Sequence, residues 1–274
     1  MKRITTLLTC LAALLMVPSF GMAASKEISI SGSTTVLPII QSAGEAFMAA
    51  NPDIALAISG GGSGSGIKAL NEGLCDVAMA SRDVKESEIT LGQKRGVELV
   101  KTVVAIDALV PVVHPDNPVK ALSSEQLRDI YAGKIKNWSE VGGNDEKIMV
   151  VSRDTSSGTY ETWMEIIMQG QKVMPAALLQ ASNGTVVQNI AKNKRAIGYV
   201  GFGYLNDSLK GLAVDGVNAS AETALNKTWP IARELYLFTN GQPEGGIGKF
   251  MNFLVDAQKG QKYVAKVGYI PLQK

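Results

Sequence analysis

Four stretches of this 274-residue chain share one grammar: a polar run of Gly, Ser and Thr follows an apolar, strand-like segment, and most of the four open a helix. They are Gly32-Ser-Thr-Thr35, Gly60 to Gly66, Ala80-Ser-Arg82 and Arg153-Asp-Thr-Ser-Ser-Gly-Thr159. Strand, loop and helix repeated in that order predict an α/β fold with a mostly parallel sheet. In such an open sheet the carboxyl ends of the strands face a common crevice, and the loops gather around it. Any one of these loops is ordinary capping chemistry. Four together, with Arg82 and Arg153 among them, describe a cradle for a tetrahedral oxyanion built from hydroxyls, helix N-termini and guanidinium groups.

The surrounding pattern repeats the unit twice. Residues 27 to 31 alternate as a half-buried strand, Leu37, Ile40, Gly44, Phe47 and Met48 mark one helix face, and residues 54 to 58 form a second strand. A seven-residue Gly/Ser loop, Gly60 to Gly66, leads into a short helix carrying Ile67, Leu70 and Leu74, followed by a strand from Cys75 to Ala80. Ser123 and Gln126 fit a capping box before Leu127, Ile130 and Tyr131, and strand Lys147 to Ser152 leads to a helix from Tyr160 to Met168. Further strands are expected at 196–200 and 211–214, with a final helix through Ile247, Phe250, Met251 and Leu254. Extended apolar runs near 103–113 and 231–239 are the natural crossings between two lobes. Residues 24–106 and 232–274 then form a discontinuous lobe I, and residues 107–231 form lobe II.

The N-terminus reads Met1-Lys2-Arg3, an apolar run from Ile4 to Val17, then Pro18 and the small residues Gly21 to Ala24. That order predicts a cleaved signal peptide over residues 1–23 and a periplasmic chain starting at Ala24. Cys10 lacks the small residue before it that a lipoprotein signal needs. Losing Lys2 and Arg3 brings the 27 basic residues to 25, equal to the 25 acidic ones, and the formal charge of +2 falls to zero. A neutral chain without a Lys/Arg-rich block offers no footprint for nucleic acid. With His114 as its one histidine and Cys75 as the one remaining cysteine, the sequence calls for no metal and no cofactor. Cys75 sits in an apolar run and reads as a buried, inert thiol.

Competing chemistry fails on spacing. Gly60 to Gly66 lacks the GxGxxG order, Gly66-Ile-Lys68-Ala69 breaks the P-loop ending, and no GxSxG elbow is present. Ser65-Gly-Ile-Lys68 matches the Ser-x-x-Lys of acyl enzymes, but Ser-Asp-Asn and Lys-Thr-Gly are missing. A run of longer motifs, Gly-Ser-Thr-Thr, Gly-Gly-Gly-Ser-Gly-Ser-Gly-Ile-Lys, Asp-Val-Ala-Met-Ala-Ser-Arg, Tyr-Ala-Gly-Lys-Ile-Lys-Asn-Trp, Arg-x-x-x-Ser-Gly-Thr, Ile-Gly-Tyr-Val-Gly and Val-Gly-Tyr-Ile-Pro-Leu, resembles the phosphate-binding proteins of bacterial phosphate ABC transporters. The resemblance spans nearly the whole chain after residue 23, in family order. It implies a two-lobed, type II periplasmic-binding-protein fold with a two-segment hinge. It also implies a monomeric receptor, not an enzyme, that takes inorganic phosphate and hands it to an inner-membrane ABC permease. A receptor for sulfate, molybdate or tungstate is the alternative within the same chemistry.

By position, the resemblance puts phosphate contacts on Ser33, Thr34 and Thr35, on Ser63, and on Arg153, Ser157, Gly158 and Thr159. The best-known members carry an Asp in the third loop that accepts the proton of phosphate, where this chain has Ser81 and Arg82. A second sub-pattern of the family pairs Ser-Arg there with an Asp in the next apolar strand, and Asp107 fits it. Asp107 thus has two readings, a contact to phosphate or a partner for Arg82, because an unpaired charge in an apolar run is expensive.

Overall fold

The computed structural model describes residues 26–272; the expected signal peptide, Cys10 and the start at Ala24 lie outside them. The chain first builds β1 (Lys26–Gly32), α1 (Leu37–Ala50), β2 (Ile54–Gly60), α2 (Ser63–Asn71), β3 (Val77–Ala80), α3 (Glu86–Lys94) and the long β4 (Leu99–Val113). It continues with β5 (Ala121–Leu122), α4 (Ser124–Tyr131), β6 (Met149–Arg153), α5 (Gly158–Trp163), β7 (Leu178–Gln180), α6 (Asn183–Lys192) and β8 (Ala196–Gly201). After β9 (Lys210–Gly211), β10 (Ala213–Val214) and α7 (Ala221–Leu225) it returns through β11 (Ala232–Asn240) to α8 (Gly245–Val255) and α9 (Gln261–Lys266).

The main sheet runs β2-β1-β3-β11-β4-β8-β6-β7. Its two flanks are parallel, β1 with β2 and β3, and β6 with β7 and β8. The middle is antiparallel, because β11 returns against both β3 and β4, and β4 against β8. β4 pairs with β11 over Leu99–Ala108 and with β8 over Leu109–Val113, so one strand passes from one lobe's sheet into the other's.

The cores divide in the same way. One apolar cluster draws on residues 108–231 and Ile270, with Trp163 stacked on Tyr199 at 4.3 Å between ring centroids. Two others draw on residues 28–105 and 235–269. The molecule is a two-lobed α/β protein in which β4 passes between the lobes and the chain returns to the first core where β11 begins. The C-terminal tail adds a strap, since Ile106 and Ile270 exchange backbone hydrogen bonds of 2.9 and 3.1 Å.

The Ser123/Gln126 capping box forms as expected, with the Ser123 hydroxyl accepting the Gln126 N–H at 3.0 Å and Gln126 accepting the Ser123 N–H at 2.9 Å. Local boundaries differ elsewhere. The glycine run is not a seven-residue loop, because α2 already begins at Ser63. Leu74 is not on that helix; α2 ends at Asn71, Gly73 turns the chain with φ +68°, and Leu74 is 72% exposed. The helix expected over 160–168 is α5 followed by a π-helical turn over Met164–Met168.

Candidate anion-binding site

Three loops of the first lobe interlock at the carboxyl ends of β1, β2 and β3. Gly32 ends β1 with φ +136°, and a Cβ there would stand 2.2 Å from the Met79 carbonyl oxygen, so only glycine lets this loop lie against β3. The Ser33 N–H donates to that carbonyl at 2.8 Å, and the Ser33 hydroxyl accepts the N–H groups of Thr35 and Val36 at 3.2 and 3.4 Å, which turns the chain into α1. Gly61 and Gly62 both donate to the Gly32 carbonyl, at 2.7 and 2.9 Å. Ser63, the first residue of α2, accepts the Ser81 N–H at 3.0 Å, and the two hydroxyl oxygens are 3.3 Å apart.

The loop after β6 in the second lobe presses onto this surface. Ser157 caps α5 by accepting the Tyr160 N–H at 3.3 Å. A Cβ on Gly158 would come within 2.4 Å of the Ser63 hydroxyl and 2.8 Å of the Ser81 hydroxyl. The Thr35 and Thr159 hydroxyls are 2.9 Å apart, the Gly64 N–H donates to the Ser156 carbonyl at 2.9 Å, and the Tyr204 hydroxyl donates to the Thr34 carbonyl at 2.6 Å. Ser33, Thr34, Thr35, Ser63, Ser81, Ser157 and Thr159 are all buried. The lobes are therefore closed on a layer of hydroxyls and helix N-termini, which attracts negative charge.

Arg153 ends β6 and is 1% exposed. Its Nε donates to the Gln180 carbonyl at 3.0 Å and Nη2 to the Ala181 carbonyl at 2.9 Å, while Nη1 is buried without a hydrogen-bond partner. Among the described residues no carboxylate lies within ion-pair distance of it. Burial pushes the pKa of this guanidinium down, opposed in part by Tyr199 and Asp154. A buried cation with a free donor is costly unless an anion completes it.

Asp107, fully buried, pairs with Arg233 and not with Arg82. Oδ2 accepts Nε and Nη2 of Arg233 at 3.0 and 2.8 Å, and Oδ1 accepts the Phe202 N–H at 2.8 Å. The reason is register: Arg233 lies opposite Asp107 where β11 pairs with β4. Arg233 continues into the site, donating to the Thr159 hydroxyl at 3.0 Å and the Thr162 hydroxyl at 3.2 Å. Arg82 stands beside Gly158, but its guanidinium is taken by Glu88 at 2.7 Å and Glu161 at 2.9 Å.

The loops thus bring together Ser33, Thr34, Thr35, Ser63, Ser81, Ser157, Gly158 and Thr159, with Arg153 at the head of the fourth loop and Asp107 one residue behind Thr159. Three participants lie beyond the sequence reading. Fully buried Asn183, at the start of α6, donates to the Thr34 and Thr35 hydroxyls at 3.2 and 3.0 Å. Its Ser182-Asn-Gly-Thr185 context follows the same loop grammar as the other four. Arg233 left a usable signal, a charge in an apolar strand that needs a partner, whereas Tyr204 carries none. Ser65 and Lys68 are both exposed on α2. Cys75 is 7% exposed, and burial pushes its thiol up to about 11.

A family model described as a PBP superfamily domain matches residues 20–258. The phosphate-binding protein PstS of Bacillus subtilis is 35% identical over 254 residues, covering 91% of this chain and 82% of that protein. The crystal structure of a substrate-binding protein from Clostridium perfringens with bound phosphate is similar at a TM-score of 0.84 and 37% identity, over 90% of this chain and all of that one. An ABC-type phosphate transport receptor from Vibrio cholerae is similar at a TM-score of 0.72 and 32% identity, over 89% of this chain and all of that one.

Proposed function

Since the chain belongs to the PBP superfamily and, within it, to the PstS phosphate-binding proteins, we propose that it is the receptor that binds inorganic phosphate between its two lobes for an ABC importer. The observation that carries this is Arg153, a guanidinium shut away from water with Nη1 unpartnered, at the head of the loop whose hydroxyls face those of the other lobe. Phosphate supplies the missing negative charge and accepts the free donor. Ser33, Thr34, Thr35, Ser63, Ser81, Ser157, Gly158 and Thr159 surround it with hydroxyls and N–H groups. Asp107 acts through Arg233 and Thr159.

Residues 24–106 with 232–274 form one lobe and residues 107–231 the other, a division supported by cores that part between residues 105 and 108 and again between 231 and 235. Closure brings the loops of both lobes onto the ligand and gives the permease a shape to recognise. Export through the N-terminal signal places the receptor in the periplasm, and it works as a monomer. It performs no chemistry on this reading: among the described residues the Ser-x-x-Lys pair, Ser65 and Lys68, is exposed on the outer surface of α2.

Equilibrium dialysis of residues 24–274 against labelled phosphate tests the proposal. One phosphate is retained per chain and is not displaced by a large excess of sulfate, and phosphate esters and β-lactams stay intact. Preferential retention of sulfate or molybdate would reassign the ligand, and a covalent β-lactam on Ser65 would make the chain an acyl enzyme.

A further inference from the structure

Glu161 lies on the first turn of α5, immediately after Gly158, Thr159 and Tyr160, and outside the hydroxyl layer. Its Oε2 stands 2.7 Å from Lys85 Nζ and 2.9 Å from Arg82 Nε. The Arg82 contact is an ion pair by distance, with Nε not aligned as a hydrogen-bond donor. Arg82 and Lys85 belong to the other lobe, between β3 and α3. There Glu88 accepts Arg82 Nη1 and Nη2 at 2.8 and 2.7 Å in a two-pronged pair, and also accepts the Lys85 N–H at 2.8 Å. Arg82 is thus positioned by its own lobe before Glu161 arrives.

With the lobes together, two cations and two carboxylates balance. Parting them leaves Lys85 uncompensated on one side and Glu161 on the other. The Arg82 and Glu161 side chains are only 10% and 18% exposed, so water and salt screen this contact less than a surface pair; Lys85, at 53%, adds less. Burial alone would lower the Arg82 pKa, but Glu88 and Glu161 outweigh it and the net shift is upward.

We propose that Glu161 determines phosphate affinity without touching phosphate: on closure it seats between Arg82 and Lys85 and holds the liganded form shut. The inference rests on the cleft being the phosphate site. It makes Arg82 a closure residue and not a ligand. Because the contact exists only when the lobes meet, its free energy belongs to the closed form and acts on escape of the ligand, not on its arrival. It is blind to which oxyanion is inside, so selectivity does not depend on it.

Stopped-flow phosphate binding to the full mature chain tests this. Glu161→Gln is expected to speed dissociation by about five- to tenfold, between the effects of exposed and buried pairs, with association within about twofold and the phosphate-to-sulfate ratio unchanged. Lys85→Met gives a smaller change in the same direction. The double variant falls short of the product of the two, the mark of a shared contact. Dissociation at the parent rate in Glu161→Gln, tighter phosphate binding, or a changed phosphate-to-sulfate ratio would each overturn the latch. Arg153→Ala measured alongside reads the site itself: weakened binding there together with parent-like Glu161→Gln removes the latch and keeps the site.

Discussion

Arg153 and Asp107 are both charged groups that the fold takes out of water, and they differ in what completes them. Arg153 keeps Nη1 unpartnered, so Arg153→Ala is expected to leave the fold intact and to weaken phosphate by at least tenfold, equivalent to about 1.4 kcal/mol. Titration calorimetry beside thermal unfolding checks both halves; a variant that unfolds would mark Arg153 as structural. Asp107 is completed by Arg233 and the Phe202 N–H. Asp107→Asn strands a buried guanidinium and should lose about 3–5 kcal/mol of stability, with phosphate and sulfate weakened together and their ratio nearly constant. Phosphate can donate a proton to an acceptor and sulfate cannot, and such an acceptor discriminates steeply. A loss confined to phosphate would therefore make Asp107 the proton acceptor itself. The sequence marked Asp107 as a charge in need of a partner but gave no means of choosing Arg233 over Arg82, because that choice rests on the register between β4 and β11.

Among the elements, the loop between β6 and α5 meets the other lobe with little room to spare. Gly158 faces Ser63 and Ser81 so closely that a methyl group cannot fit between them. Gly158→Ala is expected to prop the lobes apart and weaken phosphate by about tenfold or more, as overpacking of about 1–3 kcal/mol implies, while the ligand-free protein unfolds at nearly its original temperature. A large loss of ligand-free stability would place the strain inside the second lobe instead. Period and turn chemistry made β1, α1, β2, α4 and β11 legible, because each has an apolar face or a cap to mark it. The start of α2 was hidden, since Ser63-Gly-Ser-Gly66 has poor helix propensity and is held as helix by contacts such as Gly66 packed on Gly32. Asn183 was missed for a related reason: the short polar segment before α6 looks like any capped turn until the Thr34 and Thr35 hydroxyls stand against it.

At the scale of the whole molecule, two long extended runs in the sequence implied lobes joined by two crossings; β4 pairs with a strand on either side, and the chain returns from the second core to the first where β11 begins. The strap from Ile270 to Ile106 was not legible, because a single bridge between distant residues leaves no periodic trace. Contacts between the lobes, from Thr35 with Thr159 to Gly64 with Ser156, form a closed surface that only a hinge about these crossings could open. On the proposed function, phosphate held by Arg153 drives that closure. Small-angle scattering from residues 24–274 with and without phosphate, repeated on Arg153→Ala at the same phosphate concentration, tests it most directly. The parent chain is predicted to become more compact on adding phosphate and the variant to remain open; parent profiles that superimpose at saturating phosphate would mean that phosphate does not drive closure.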